Sequence, residues 1–206
     1  HVLGLDTEWI WHKDRRLEAY DFIVLPGGFS YGDYLRPGAI ARFSPIMKAV
    51  TAYAKSGGRI LGICNGFQIL VEAGLLPGAL MRNGSQTFVC KSVYVRVENN
   101  ETPFTRQCGE KAVLKTPVAH ADGRFFAPPD CVKRMEDGGQ IVLRYCDRQG
   151  EVAGSANPNG SIGNIAAVAN ETGTILGMMP HPERCADPLW PDRDGQLIFK
   201  SLMQSL

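Results

Sequence analysis

Short apolar runs that meet glycine turns are the strongest pattern in the first third of this chain. The run Phe22–Leu25 ends at Pro26-Gly27-Gly28, and the run Ile60–Ile63 follows Gly57-Gly58. Uncharged runs of this length, bounded by glycine, are typical of strands buried in a parallel sheet. Between them, helical periodicity over Ala39–Lys55 predicts a helix that stops at the glycine pair.

The remaining pattern is that of an antiparallel sheet. A weak alternation over Glu8–His12 also predicts a short strand near the start of the chain. Beyond Arg82, alternating or apolar segments predict strands at Thr87–Val97, Val113–His120, Gln140–Tyr145, Ile165–Ala169 and Thr174–Met179. The last two flank Asn170-Glu171-Thr172-Gly173, which predicts a β-hairpin. A final helix over about Gly195–Leu206 would cover one face of the sheet.

One turn concentrates the chemistry of the chain. Gly62-x-Cys64-x-Gly66 joins the strand Ile60–Ile63 to a predicted helix over Phe67–Ala73. This is the cysteine form of a nucleophile elbow, in which glycines relieve the crowding around an exposed residue. Because Cys64 would stand at a helix N-terminus, the helix dipole and free N–H groups favour a thiolate there.

A thiol nucleophile needs a base and a group that orients the base. The histidines are His1, His12, His120 and His181, and His181 stands out because Glu183 follows it at i+2 across Pro182. In an extended segment these two side chains point to the same side. A lone cysteine is more often a small buried apolar residue. The elbow glycines and the His-x-Glu pair together favour catalysis over that structural interpretation.

Composition is that of an ordinary globular protein. The chain has 206 residues, of which 44% are hydrophobic and 21% charged, and its formal net charge is +1. These values predict one domain over residues 1–206 and give no bulk electrostatic reason to expect nucleic acid or an anionic membrane as a partner. No apolar run approaches the roughly 18 residues of a membrane span.

The six cysteines are widely spaced and form no C-x-x-C pair, which argues against a zinc site and a compact disulfide framework. The first residues do not resemble a signal peptide, so we expect reduced thiols in a cytoplasmic protein. We expect no metal on this chain.

The quoted motifs resemble those of class I (triad) glutamine amidotransferases. The resemblance rests on Pro26 to Arg36, on Gly62 to Gln68 and on Pro180-His181-Pro182-Glu183. Further segments, among them Gly38 to Pro45 and Asn157-Pro158-Asn159-Gly160-Ser161, are similar to the glutaminase subunits of phosphoribosylformylglycinamidine synthase. The similarity extends from about Trp9 to the C-terminus.

This resemblance implies a flavodoxin-like, three-layer open α/β sheet, mostly parallel with antiparallel additions. Members of the family normally begin with a strand, a loop and a helix ahead of the segment that opens here. We therefore expect an N-terminally short chain that lacks the usual first strand, with a gap in the sheet and exposed apolar edges.

The implied activity is hydrolysis of the L-glutamine side-chain amide, with ammonia passed to a synthetase that converts formylglycinamide ribonucleotide to formylglycinamidine ribonucleotide. Cys64 would attack the amide, His181 would move protons and Glu183 would fix the imidazole. Oxyanion donors would be the N–H groups of Gly28 and Asn65. Expected substrate-binding residues are Gln68, Phe29 and His120.

Partners are also expected. No phosphate-binding glycine motif is present, so we expect no cofactor on this chain, with ATP and Mg bound by the synthetase subunit. The resemblance implies a small bridging subunit in the same complex. Two alternatives stay open. One is another cysteine hydrolase on the same fold, although such enzymes carry a histidine close after the cysteine. The other is a non-catalytic amidotransferase-like subunit.

Overall fold

The structure is a computed structural model that describes residues 3–28 and 37–205, and for Pro37 only the backbone. Its elements in chain order are β1 (Phe22–Leu25), α1 (Pro37–Ala41), α2 (Ile46–Lys55), β2 (Arg59–Ile63), α3 (Asn65–Glu72), β3 (Ala79–Met81), β4 (Val89–Val97), β5 (Val113–His120), β6 (Arg124–Phe126), α4 (Pro129–Asp137), β7 (Ile141–Cys146), β8 (Ile165–Ala169), β9 (Ile175–Met178) and α5 (Gly195–Met203).

One mixed sheet carries the fold. Its seven strands run in the order β1-β2-β9-β8-β7-β4-β5, and β3 pairs with β6 in a separate antiparallel ribbon. The pairings β1–β2 and β2–β9 are parallel. The other four pairings of the large sheet are antiparallel, including the predicted hairpin of β8 and β9. The expectation of an α/β fold that joins parallel strands to antiparallel additions is confirmed.

The central strands form the core. All residues of β8 and β9 are buried, because each strand has a neighbour on both edges and packed side chains on both faces. The helix α3 packs against β1, β2 and β9, where it buries Phe67 and Leu70. The helix α5 contacts β5 and the 3-10 turn Pro182–Cys185. These contacts fix the ends of β2, β5 and β9 relative to one another.

The predicted strand at Glu8–His12 is wrong. The described residues 3–20 contain no strand, and the side chains of Trp9 and Trp11 are 90% and 63% exposed. A strand is held by hydrogen bonds to a neighbour, and this segment pairs with no other strand of the described residues. Alternation alone therefore did not produce a strand.

The predicted gap in the sheet is also wrong. The strand β1 pairs directly with β2 along its whole length, so the sheet is continuous from β1 to β5. As an edge strand, β1 is less buried than predicted: Ile23 is buried, whereas Val24 is 36% exposed. The parallel pairing and the glycine turn after the strand are as predicted.

The predicted helix over Ala39–Lys55 is two helices. They are separated at Arg42–Pro45, and Pro45 directly precedes the first residue of α2. Proline lacks an N–H group and clashes with the preceding turn, so it favours a helix start over a helix interior. The helix α4 was not predicted, although it has the signals of one: Pro129 at the first position, Asp130 in the first turn and Gly138-Gly139 after its end.

Candidate active site

The strand β2 and the helix α3 meet at Cys64, as the elbow pattern predicts. The cysteine has φ 50° and ψ −103°, a backbone conformation that residues with a Cβ rarely adopt. Its N–H donates to the carbonyl oxygen of Met178 at 2.8 Å, and its carbonyl oxygen accepts from the N–H of Gln68 at 3.1 Å. Hydrogen bonds thus fix the backbone of Cys64 to the sheet on one side and to the helix α3 on the other.

The elbow glycines are required by close approach. A methyl group at Gly62 would lie 2.5 Å from Cδ1 of Leu70 and 2.8 Å from the carbonyl carbon of Gly66. A methyl group at Gly66 would overlap the carbonyl oxygen of Leu25 in β1. Since the obstacle at Gly66 is backbone, side-chain movement cannot relieve it. The tight turn therefore depends on both glycines, as predicted.

The imidazole of His181 is held by Glu183. Its Nδ1 atom lies 2.6 Å from Oε1 of Glu183, and its backbone N–H donates to the carbonyl oxygen of Pro117 in β5 at 2.8 Å. The His181 side chain is 1% exposed, whereas that of Glu183 is 41% exposed. Glu183 lies in the 3-10 turn Pro182–Cys185 and not in the extended segment that we predicted, yet the predicted contact forms.

Gly27 lies between the cysteine and the histidine. A methyl group built on Gly27 would stand 2.7 Å from Cε1 of His181 and 3.5 Å from Cβ of Cys64. Both side chains therefore pack against one glycine that follows the end of β1. The Nε2 atom of His181 is buried and has no hydrogen-bond partner among the described residues.

The other predicted site residues have different surroundings. Gly28 follows the end of β1 and is exposed, and a methyl group placed on it would meet no described atom within 4 Å. Asn65 is buried at the first position of α3. Gln68 is 7% exposed, and its Nε2 donates to the carbonyl oxygen of Asp122 at 2.7 Å, so it is not a solvated surface residue. Phe29 lies outside the described residues.

His120, at the end of β5, belongs to a buried polar network. Its Nδ1 lies 3.0 Å from Oδ1 of Asn83. Burial, followed by the charge of His181, lowers the pKa of His120 to about 4. Asn159 joins the network because its Nδ2 donates to the carbonyl oxygen of Gly123 at 2.8 Å and contacts the Tyr145 hydroxyl at 3.4 Å.

The roles of Asn83 and Asn159 in this network were not predicted from the sequence. Asn159 lies in a segment that we named only for its resemblance to the glutaminase subunits, and its inward-pointing amide has no signature in the local pattern. Both asparagines have a glycine at the next position, which is a turn signal, so their burial could be found only from the fold.

The other cysteines show no comparable setting. Cys90 is exposed, Cys131 is partly buried, and Cys108, Cys146 and Cys185 are buried. Burial raises the pKa of the Cys108 and Cys146 thiols to about 11 in each case. Within the described ranges, no group of three or more His, Cys, Asp or Glu side chains is arranged to hold a metal ion. In the same ranges, no helix is long and apolar enough to cross a membrane.

Comparison with known proteins agrees with this geometry. Residues 6–200 match the model of the CobB/CobQ-like glutamine amidotransferase domain. Two curated relatives are phosphoribosylformylglycinamidine synthase subunits PurQ. The one from Moorella thermoacetica is 53% identical over 98% of this chain and 86% of the relative, and the one from Synechocystis is 54% identical over 97% and 89%.

Solved structures give the same result. The structure of PurLQS from Thermotoga maritima is 44% identical, covers 93% of this chain and 82% of that chain, and superposes with a TM-score of 0.81. A more distant glutaminase domain, that of a Trypanosoma brucei CTPS with bound acivicin, has a TM-score of 0.55 at 13% identity and shares the fold.

Proposed function

The chain belongs to the CobB/CobQ-like glutamine amidotransferase family, and we propose that Cys64, His181 and Glu183 are its catalytic residues. Its activity is that of the glutamine amidotransferase subunit of phosphoribosylformylglycinamidine synthase. The residue assignment rests on one observation. The elbow cysteine and the imidazole that Glu183 binds both pack against Gly27.

In the first step, His181 accepts the thiol proton of Cys64, and the resulting thiolate attacks the side-chain carbonyl carbon of glutamine. The carbonyl π electrons move to oxygen, and backbone N–H groups of Gly28 and Asn65 stabilise that oxyanion. Asn65 suits this role because it directly follows the nucleophile at the start of α3, the position whose backbone N–H contributes to the oxyanion hole of a nucleophile elbow. Loss of one such donor costs roughly 3 kcal/mol of transition-state stabilisation.

In the second step, the tetrahedral intermediate collapses. His181 donates a proton to the leaving nitrogen, the C–N bond breaks, and ammonia departs from a γ-glutamyl thioester on Cys64. His181 then removes a proton from water, which attacks the thioester and releases glutamate and the thiolate. Glu183 accepts the Nδ1–H of His181, so it keeps the Nε2 atom as the proton-transferring nitrogen.

Three residues complete the proposed glutamine site: Gln68, Phe29 and His120. Gln68 is tied to the loop after β5 through the Asp122 carbonyl oxygen, and this contact brings α3 and β5 to the same site. We also propose that residues 1–206 are one catalytic domain, supported by a single core cluster that draws on every strand of the large sheet.

The ammonia acceptor is on another subunit. The chain acts with the synthetase subunit of phosphoribosylformylglycinamidine synthase, as the PurLQS assembly of its relative indicates. We propose that a small bridging subunit completes the complex, that ATP and Mg bind to the synthetase, and that the complex works in the cytoplasm. The acceptor reaction is then the conversion of formylglycinamide ribonucleotide to formylglycinamidine ribonucleotide.

Two alternatives make different predictions. A different cysteine hydrolase on this fold would have a histidine close after the nucleophile, but Asn65 holds the adjacent position and the next histidine in the sequence is His120. His181 is instead bound by Glu183. A non-catalytic subunit would have no reason to retain a strained cysteine at φ 50°. An assay of ammonia release from glutamine distinguishes the proposal from both alternatives, because only the proposed amidotransferase releases ammonia from this substrate.

The assignment is tested by labelling with a diazo-ketone analogue of glutamine. The complex of the chain with its synthetase is incubated with the analogue and digested for mass spectrometry. We expect one adduct, on Cys64, which Cys64→Ala abolishes and the matched control Cys90→Ala retains, since Cys90 is an exposed thiol that shows whether exposure alone leads to labelling. An adduct on Cys90, or none in the active complex, would overturn the assignment.

A further inference from the structure

The side-chain amide of Asn83 has a single possible orientation. Its Nδ2 donates to the backbone carbonyl oxygens of Thr87 and His120, both at 2.9 Å. Its Oδ1 accepts from the backbone N–H of Gly123 at 3.2 Å. Carbonyl oxygens only accept and backbone N–H groups only donate, so a flipped amide would face three mismatched partners. Oδ1 is therefore the atom that faces His120.

This orientation fixes the tautomer of His120. Nδ1 of His120 lies 3.0 Å from Oδ1 of Asn83, and an oxygen acceptor requires a proton on that nitrogen. The ring is 3% exposed, and burial lowers its pKa to about 4, so it is neutral near pH 7. A neutral imidazole carries one ring proton. With that proton on Nδ1, the Nε2 atom presents a lone pair.

The lone pair has no partner in the described part of the chain. Nε2 of His120 is buried and makes no hydrogen bond to any described residue. The ring is held by its hydrogen bond to Asn83 and packs closely against Gly123, where a methyl group would overlap its atoms. A buried acceptor left unpaired costs free energy, so its retention points to a ligand that donates to it.

The end of β5 belongs to the catalytic site. The carbonyl oxygen of Ala119, the residue before His120, accepts from the Cys64 thiol at 3.7 Å. The backbone of Pro117, in the same strand, holds the N–H of His181. The electrostatic interaction with His181 also contributes to the lowered pKa of His120. His120 therefore directly follows the residue that contacts the Cys64 thiol, in the strand whose backbone holds His181.

We propose that Nε2 of His120 accepts a hydrogen bond from the side-chain amide N–H of glutamine, and that Asn83 is a positioning residue that keeps this nitrogen unprotonated. The inference rests on the proposed glutaminase function and assigns the atom that recognises the amide. Glutamine offers an N–H donor at this point, whereas glutamate offers only oxygen lone pairs. A lone pair on the protein therefore selects substrate over product, and it assists glutamate release.

The kinetic test uses Asn83→Asp in the complex with the synthetase. Aspartate has the same shape but loses the two hydrogen bonds that Nδ2 donates. Its negative charge beside Nδ1 favours the charged imidazolium, which turns Nε2 into a donor. We expect the KM for glutamine to rise on the order of tenfold and the inhibition constant for glutamate to fall by a similar factor. The matched control is Asn159→Asp, in the same network but without contact to His120, and it should leave the ratio of the two constants unchanged.

A spectroscopic test covers the case in which Asn83→Asp does not fold. In the full wild-type chain with ¹⁵N-labelled histidine, the resonances of His120, assigned by their loss in His120→Gln, should report a protonated Nδ1 and a bare Nε2 from pH 5 to 8. A proton on Nε2, or an unchanged ratio of constants in folded Asn83→Asp, would overturn the inference. If the wild-type complex shows no glutaminase activity, the proposed function itself would be overturned.

Discussion

A single methyl group added at Gly27 should impair catalysis in a chain that still folds. In Gly27→Ala the new carbon would lie 2.7 Å from Cε1 and 3.3 Å from Nδ1 of His181. Optimal contact between carbon atoms is about 3.5–4.0 Å, so the imidazole must retreat by roughly 1 Å. The distance to Cβ of Cys64 is 3.5 Å, an ordinary contact, so the nucleophile itself need not move.

The imidazole has little room to retreat. The ring is 1% exposed, and its Nδ1 is bound to Glu183 at 2.6 Å, so any shift weakens that hydrogen bond or strains the turn that carries it. A misplacement of about 1 Å typically costs about 100-fold in rate. Overpacking of one carbon costs about 1–3 kcal/mol of folding free energy. We therefore expect kcat to fall about 100-fold in a chain that still folds.

The assay compares ammonia release by the complex with urea unfolding of the chain. Gly154→Ala is the control, since a methyl group there meets no described atom within 4 Å and Gly154 has no part in the site. We expect wild-type kcat for the control and wild-type labelling of Cys64 by the glutamine analogue in Gly27→Ala. If Gly27→Ala folds and retains kcat within a factor of about three, His181 does not act from the position described.

Three further predictions concern the elbow and His120. Gly66→Ala should abolish folding or soluble expression, because its methyl group overlaps the Leu25 carbonyl oxygen and the backbone cannot yield; a soluble variant with a wild-type melting temperature would contradict this. Cys64→Gly should be about 1 kcal/mol more stable to urea than Cys64→Ala, because both remove the thiol but only glycine relaxes at φ 50°. The folded pKa of His120, about 4, lies below the ordinary 6.5, so the unfolded chain binds a proton first as pH falls. Stability should therefore drop by about 2 kcal/mol between pH 7 and pH 5, and His120→Gln should lack that part of the drop.

Sequence patterns predicted those parts of the site whose residues lie close together along the chain. The elbow around Cys64 requires a strand, glycines and a helix within a dozen residues, and the glycines are fixed by close approaches that no side chain allows. The contact between His181 and Glu183 spans two residues and was predicted, although the backbone that makes it is a 3-10 turn. Both features follow from short-range geometry.

Features that depend on distant neighbours were predicted less well. Alternation at Glu8–His12 was sufficient for a strand prediction, but a strand needs a partner, and none of the described strands pairs with this segment. The single helix predicted over Ala39–Lys55 overlooked the effect of Pro45 on the backbone. The amides of Asn83 and Asn159 become buried only when the loops after β3, β5 and β7 fold together, so no local pattern identifies them.

The most direct test of the central claim is to follow the amide nitrogen. The complex of chain and synthetase is given formylglycinamide ribonucleotide, ATP, Mg and glutamine labelled with ¹⁵N at the side-chain amide, in the presence of unlabelled ammonium. We predict that the wild-type chain places ¹⁵N in the amidine product, whereas Cys64→Ala yields a product with unlabelled nitrogen only. Labelled product from Cys64→Ala, or unlabelled product from a folded wild-type complex, would contradict the assignment of Cys64 as the residue that releases ammonia from glutamine.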